Sequence, residues 1–291
     1  MLKTAEDSAI SAVLSLLLEV SANPKSGNVD REHNFEDLRY EHFLISSASA
    51  FPFFLKTAKN RRLYILQAVE KSMEFGVKTN VHFGAFLLLF PLVAVWDSKD
   101  LAEAGAKALE FLKRTNFRDS INIFKAFQLC KPRVLSAERL SLDDQSTIAK
   151  IKKERLNVYE WMKLSPKENL IASELLNGYL ISQEGANFIL NSEFDANTTI
   201  VLLYHKLLSE HLDTLIIAKK GYEVAREVMD LAKKAFESKK LEEFKKLDEK
   251  LINEKINPGT IADLVASSIY LAILEGWKVE AKGLRTLEWD K

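Results

Sequence analysis

Apolar residues recur every three or four positions along most of this chain, the period of helices with one buried face. Over residues 4–21, Ile10, Val13, Leu14, Leu17 and Leu18 share one face, and Thr4 followed three residues later by Asp7 makes a capping-box pattern. A loop of about a dozen residues comes next, too long for a simple connection in a compact helical domain. Asn34 reads as the cap of a helix running to Lys56, with Asp37 in its first turn. Further helices are predicted over 60–75, 80–96, 99–115, 119–129, 145–163, 166–190, 197–219, 221–237, 239–254 and 260–275. Pro91 should kink the one that contains it. Residues 133–147 are polar and turn-rich and read as a loop or flap. No period-two alternation is sustained, no repeat is visible, and no low-complexity linker marks a boundary. The pattern predicts an all-α fold, one globular domain over 1–291, built from roughly ten helices.

Two stretches refine that picture. The run 83–96, FGAFLLLFPLVAVW, is apolar on every side. It falls short of the roughly 20 residues that cross a bilayer, so a helix buried all round is the expectation, and no membrane partner is expected. Residues 239–254 set Leu241, Phe244, Leu247, Leu251 and Ile252 against lysines and glutamates, which reads as a solvated face.

Formal net charge is zero over 291 residues. That argues against a nucleic-acid partner held by bulk positive field. Cys130 is the only cysteine, which excludes an internal disulfide and cysteine-rich zinc sites. No signal-peptide pattern opens the chain, and a cytoplasmic location is expected.

Pro and Gly are scarce, six and ten, and two loops near the ends of the chain each carry one of both. Residues 19–31 read EVSANPKSGNVDR, and residues 257–263 read NPGTIAD. Such turns expose backbone N–H groups at helix starts, where anions bind. Polar residues cluster at four turns: Glu19, Lys25, Asp30, Arg31, His33, Asn34 and Asp37; Lys78 to Gly84, with Asn80 and His82; Asp213 to Gly221, with Lys219 and Lys220; and Asn257 to Asp263. Helix N-termini, lysines and a carboxylate-held magnesium ion are the usual parts of a phosphate site in a helical protein. Each also has a structural reading. Asp37 and Asp263 could bond their own helix starts, His82 could be a core histidine, and Lys219 and Lys220 could complement a helix dipole. Lys25 and Arg31, in a glycine-bearing loop, are harder to explain by packing. No phosphate loop, dinucleotide fingerprint, zinc helix or nucleophile elbow occurs.

Four segments in this order carry a resemblance: LEVSANPKSGNVDREHNFEDLRYEHFLISSASA (18–50), TNVHFGAFLLLFPLVA (79–94), DTLIIAKKGYEVA (213–225) and NPGTIADLVASSIYLAILEG (257–276). The chain resembles the triphosphoribosyl-dephospho-CoA synthases over nearly its whole length, in an archaeal-type version. The resemblance implies a transferase that moves the 5-triphosphoribosyl group of ATP to the ribose 2′-hydroxyl of 3′-dephospho-CoA, or a related acceptor, and releases adenine. It implies ATP as substrate and Mg2+ as the accompanying cation.

Carried over by motif, Lys25, Gly27, Arg31, Asn80, Lys219, Asn257 and Gly259 are expected at the nucleotide and its phosphates. Asp30 and Asp263 are expected at the metal, and Glu19, Asp37 and His82 in catalysis, with His82 assisting adenine departure. Two positions depart from the family pattern. Ser26 stands for a proline, and Asn169 stands for an aspartate. The second departure keeps an alternative open, a divergent nucleotide- or CoA-binding protein without transfer. A purely structural helical protein would not explain why polar residues gather at four turns. Helical surfaces of this kind support a homodimer, though no heptad run is long enough for a coiled coil.

Overall fold

The computed structural model describes residues 2–132 and 146–279. Among them are fifteen α-helices and no regular strand. The helical class is as expected; the number exceeds ten because predicted long helices are broken by specific residues.

Helix α1 (Ala5–Ser21) starts as its sequence indicates, with Thr4 Oγ1 accepting the Asp7 N–H at 3.0 Å. The loop after it reaches to residue 39, and α2 spans Tyr40–Asn60. Asn34 is therefore not the first-turn cap expected, although its Oδ1 does accept the Tyr40 N–H at 2.6 Å. Asp37 lies in the loop, exposed, rather than in a first turn. α3 (Ile65–Glu74), α4 (Phe83–Ala94), α5 (Leu101–Arg114) and α6 (Phe117–Cys130) fall where periodicity placed them. Pro91 lies inside α4, which ends three residues later. The predicted flap falls largely on residues outside those described.

The predicted helix 145–163 divides into α7 (Ser146–Glu154) and α8 (Val158–Met162). Arg155 between them takes a φ of 53°, and Asn157 Oδ1 accepts the Glu160 N–H to start the second. The predicted 166–190 becomes α9 (Leu170–Asn177) and α10 (Leu180–Leu190), separated by Gly178 and Tyr179 in the left-handed region at 72° and 65°. Tyr179 is fully buried, and its hydroxyl donates to Leu88 O at 2.9 Å, so packing holds this break. The predicted 197–219 becomes α11 (Ala196–Glu210) and α12 (Thr214–Lys220), because Asp213 starts a new helix. α13 (Tyr222–Ser238), α14 (Leu241–Asn253) and α15 (Gly259–Glu275) complete the chain.

α4 and α15 form the centre. In α4 every residue but Gly84 is buried, which explains an apolar run with no polar face. α15 packs against α4, α10 and α1. Near the two ends of the sequence, Ser8 Oγ and Tyr270 Oη meet at 2.8 Å in the core. α14 buries Phe244, Leu247 and Leu251, as its pattern implies, but also Asp248, whose Oδ1 accepts the Gly27 N–H at 2.8 Å. A charge run read as solvated thus hides one structural carboxylate.

Candidate active site

The starts of four helices open on one cavity. Out to its open mouth it spans about 1130 Å³, part of it open to solvent. Its walls come from Asn80 to Ala85 at the start of α4, Asn169 to Ala172 at α9, Thr214 and Leu215 at α12, and Asn257 to Asp263 at α15. Glu19, at the end of α1, and Asn28 close one side. Phe43, Phe83, Trp161 and Met162 supply an apolar wall. No lysine or arginine is among the described residues that line it.

The helix starts are laced to one another. Asp213, buried, accepts the Ile216 N–H of its own helix and the Ile261 N–H of α15, each at 2.9 Å. Thr260 of α15 returns the bond, accepting the Leu215 N–H at 3.2 Å. Thr214 Oγ1 accepts the Leu170 N–H of α9 at 3.0 Å and donates to Glu168 O. Asn169 Oδ1 accepts the Ala172 N–H at 3.1 Å, and Asn80 Oδ1 the Phe83 N–H at 3.3 Å. First-turn N–H groups have no partner within their own helix. Here neighbouring helices satisfy several of them, which ties the helix starts together around the cavity.

Two carboxyls reach the wall. Glu19 is buried and pairs with the ammonium of Lys25. Burial raises its pKa above the ordinary glutamate value, against the pull of Lys25. Asp263 projects over the first turn of α4. A Cβ on Gly84 would collide with its Oδ2 and stand 2.8 Å from its Cγ, so only glycine leaves room for it. Burial, Glu19 and Asp213 all raise the Asp263 pKa well above the usual aspartate range, while the Ala85 N–H works the other way. The two carboxyls therefore share one poorly solvated region and repel each other when ionised. Asp213 is raised by burial to about 6, restrained by the backbone N–H groups around it.

His82 lies against Phe43 and Phe86, with ring centroids at 5.0 and 5.8 Å. Burial, helped by Lys25, pushes its pKa down to about 3, so the imidazole is neutral. Both ring nitrogens are buried without a hydrogen-bond partner among the described residues, and so is Asn257 Oδ1. Buried polar atoms are nearly always satisfied. Both residues stand on the same cavity wall.

Of the residues expected from sequence, Glu19, Asn80, His82, Asn257, Gly259 and Asp263 line this cavity. The others do not. Lys25 is fully buried and faces Glu19. Asp30 is buried in its own loop, accepting from Asn23 Nδ2 and from the N–H groups of Lys25, Glu32 and His33, so its oxygens organise the turn. Gly27, at φ 75°, seats the loop on Asp248. Arg31 is exposed and donates to Asn197 Oδ1 at 3.1 Å. Asp37 and Lys219 are exposed and off the wall. Among the described residues no three His, Cys, Asp or Glu side chains are grouped to hold a metal.

The sequence singles out neither Asn28 nor Trp161 on the wall, and it leaves Thr214, Thr260 and Asp213, which lie in its polar clusters, without a role. Asp213 did leave a signal. An aspartate directly before the apolar run TLII is an N-cap pattern, but the lysines later in that segment drew attention instead. Asp263, expected at the metal with helix-start bonding as its structural alternative, extends its carboxyl to the start of α4.

No curated protein matches the chain. A crystal structure of a protein assigned as triphosphoribosyl-dephospho-CoA synthase from Archaeoglobus fulgidus does. It is 45% identical, covers 81% of this chain and 100% of its own, and superposes with a TM-score of 0.71. The family profile described as ATP:dephospho-CoA triphosphoribosyl transferase matches residues 5–281. With a match of that extent, supported by that structural relative, the chain belongs to the ATP:dephospho-CoA triphosphoribosyl transferase family.

Proposed function

We propose that this cavity performs the family's transfer: the 5-triphosphoribosyl group of ATP passes to the ribose 2′-hydroxyl of 3′-dephospho-CoA, and adenine leaves. The bond from the ribose anomeric carbon to the adenine nitrogen breaks, its electron pair goes with adenine, and adenine takes up one proton, matching the one the acceptor hydroxyl loses. A bond from that carbon to the acceptor oxygen forms, as the hydroxyl proton is lost. An α-linked product from a β-nucleoside requires one inversion, so a single displacement suffices. The transition state carries oxocarbenium character, which a nearby carboxylate stabilises.

The observation that carries this reading is the unsatisfied His82 and Asn257 on the same wall as Glu19 and Asp263. Glu19 takes the acceptor proton. Lys25 favours its ionised form, while burial raises its basicity, as a general base needs. His82 is neutral, so it holds adenine by one N–H and one lone pair and is not a reservoir of protons. Asn80 and Asn257 bond the ribose. The first turns of α9 and α15 face the triphosphate, where helix N-termini favour anions.

Mg2+ fits Asp263, with Glu19 beside it, and does not fit Asp30, whose oxygens are already used. One or two carboxylates plus substrate phosphates are its usual protein ligands. When bound it would neutralise triphosphate charge and relieve the repulsion that raises the Asp263 pKa. Asn169 stands on the cavity wall without the charge of an aspartate. Its amide oxygen caps α9, a task aspartate performs as well.

The test is incubation with ATP, Mg2+ and 3′-dephospho-CoA, followed by chromatography and mass analysis. Free adenine and a triphosphoribosylated CoA product are expected in equal amounts. ATP binding without adenine release would sink the transferase reading for this acceptor.

A further inference from the structure

Away from the cavity, four arginines converge on one groove. Arg61 and Arg62 follow the end of α2, Arg114 ends α5, and Arg118 lies in the first turn of α6. With Leu63 and Phe111 they line about 1060 Å³ of open space. An adjoining recess of about 840 Å³ shares Arg61, Phe111 and Arg114 and is walled by Ala94, Val95 and Ala106.

Arg61 is committed to the fold, donating to Asp97 Oδ2 at 2.7 Å and to Ala94 O at 3.0 Å. Among the described residues Arg62, Arg114 and Arg118 make no ion pair. Glu110 is bridged by Lys113 and feels Arg114 more weakly, and Asp119 in the groove feels Arg62 while its Oδ2 accepts the Asn116 N–H at 2.8 Å. Arg118 rests on the Phe117 ring.

Cations at helix C-termini complement the dipole, and that accounts for Arg61 and Arg114. It does not account for Arg62, outside any helix, or for Arg118, in a first turn where a cation is disfavoured. A chain of zero net charge thus concentrates guanidinium groups on one concavity beside an aromatic face. Planar guanidinium forks match phosphate oxygens, and their stems and aromatic neighbours tolerate an apolar body.

We propose that this groove is a second ligand site that takes an organic phosphate, with its phosphate group among Arg62, Arg114 and Arg118 and its apolar body along Phe111. The site is separate from catalysis. α4 runs from Phe83 at the cavity to Ala94 at Arg61, about 18 Å at 1.5 Å per residue. The proposal does not rest on the reaction assigned to the cavity.

Hydrogen exchange of the full chain with inorganic pyrophosphate or with ADP tests it. Saturable protection of residues 61–63 and 114–119 is expected. Arg62→Ala/Arg118→Ala should weaken that protection by about tenfold or more, the loss of charge-assisted hydrogen bonds, and leave ligand-free adenine release unchanged. Stronger binding of ADP than of pyrophosphate identifies the apolar body as part of what is recognised. Equal binding would overturn the apolar body along Phe111. Protection confined to the helix starts at 83–85 and 257–261, or protection indifferent to the double substitution, would overturn it. Should the double variant fail to fold, the wild-type footprint alone decides.

Discussion

At the scale of single residues, His82 and Asp263 show how burial sets chemistry. A histidine with an ordinary pKa near 6.5 would change charge around neutrality. Held in an apolar wall at about 3, His82 stays neutral at any pH the enzyme meets and can only donate and accept hydrogen bonds. His82→Phe keeps the ring packing against Phe43 and Phe86 but removes both nitrogens. It should raise the KM for ATP by the equivalent of about 1–3 kcal/mol, the cost of a lost buried hydrogen bond, with the melting temperature near that of the parent. An unchanged KM would show that the unpaired nitrogens do not serve ATP. Asp263 depends on its neighbour for space. Gly84→Ala puts a methyl where the carboxyl lies, so Asp263 must move. Displacement of a catalytic group by about 1 Å costs roughly a hundredfold in rate. Steady-state kinetics on a folded Gly84→Ala protein should show that loss in kcat, and wild-type turnover would remove Asp263 from the mechanism.

At the scale of elements, the cavity is a property of helix starts. Asp213 ties α12 to α15 with one carboxylate, and no lone helix could supply that arrangement. Asp213→Asn can accept through only one oxygen and turns an amide N–H at the other helix. It should cost about 1–3 kcal/mol of stability at acidic pH, and less at neutral pH, where burial penalises the ionised carboxylate. The pH dependence has a definite sign. The folded pKa, about 6, lies above the ordinary aspartate value of 3.8, so the folded state binds the proton first as pH falls. The contribution is fully present below 3.8 and is lost as pH rises through about 6. Its full size is about 3 kcal/mol at 1.36 kcal/mol per pKa unit. Urea unfolding of wild type and Asp213→Asn at two pH values should give a difference in stability that changes between them, and a constant difference would refute the linkage. These joints also mark the limit of what was legible. Periodicity found the helical class and the buried α4, because a 3.6-residue period is local. It ran α9 into α10, since Tyr179 reads as an ordinary apolar residue until its hydroxyl is seen on Leu88. It merged α11 with α12 because a cap in mid-pattern looks like an exposed polar position.

At the scale of the whole molecule, residues far apart in sequence meet in one place. The four segments quoted from the sequence do converge: Glu19, His82, Thr214 and Asp263 all reach the same cavity. What could not be read was which polar residues in those segments face inward. Lys25, Asp30 and Gly27 share a loop with Asn28, yet only Asn28 reaches the cavity, because Asp30 and Asp248 fold the loop around themselves. Cations were the natural choice for phosphate, but their direction depends on contacts that sequence does not show. The convergence has a thermodynamic consequence. A ligand that bonds α1, α4 and α15 at once binds only the folded chain and must stabilise all of it. At a ligand concentration a hundred times its dissociation constant the gain is about 2.7 kcal/mol. For a chain of this size that corresponds to roughly 5 °C in melting temperature. Thermal unfolding with saturating Mg·ATP should show an increase of that order, and His82→Phe should show less at the same ATP concentration. An equal increase in His82→Phe would mean that the stabilising nucleotide sits elsewhere.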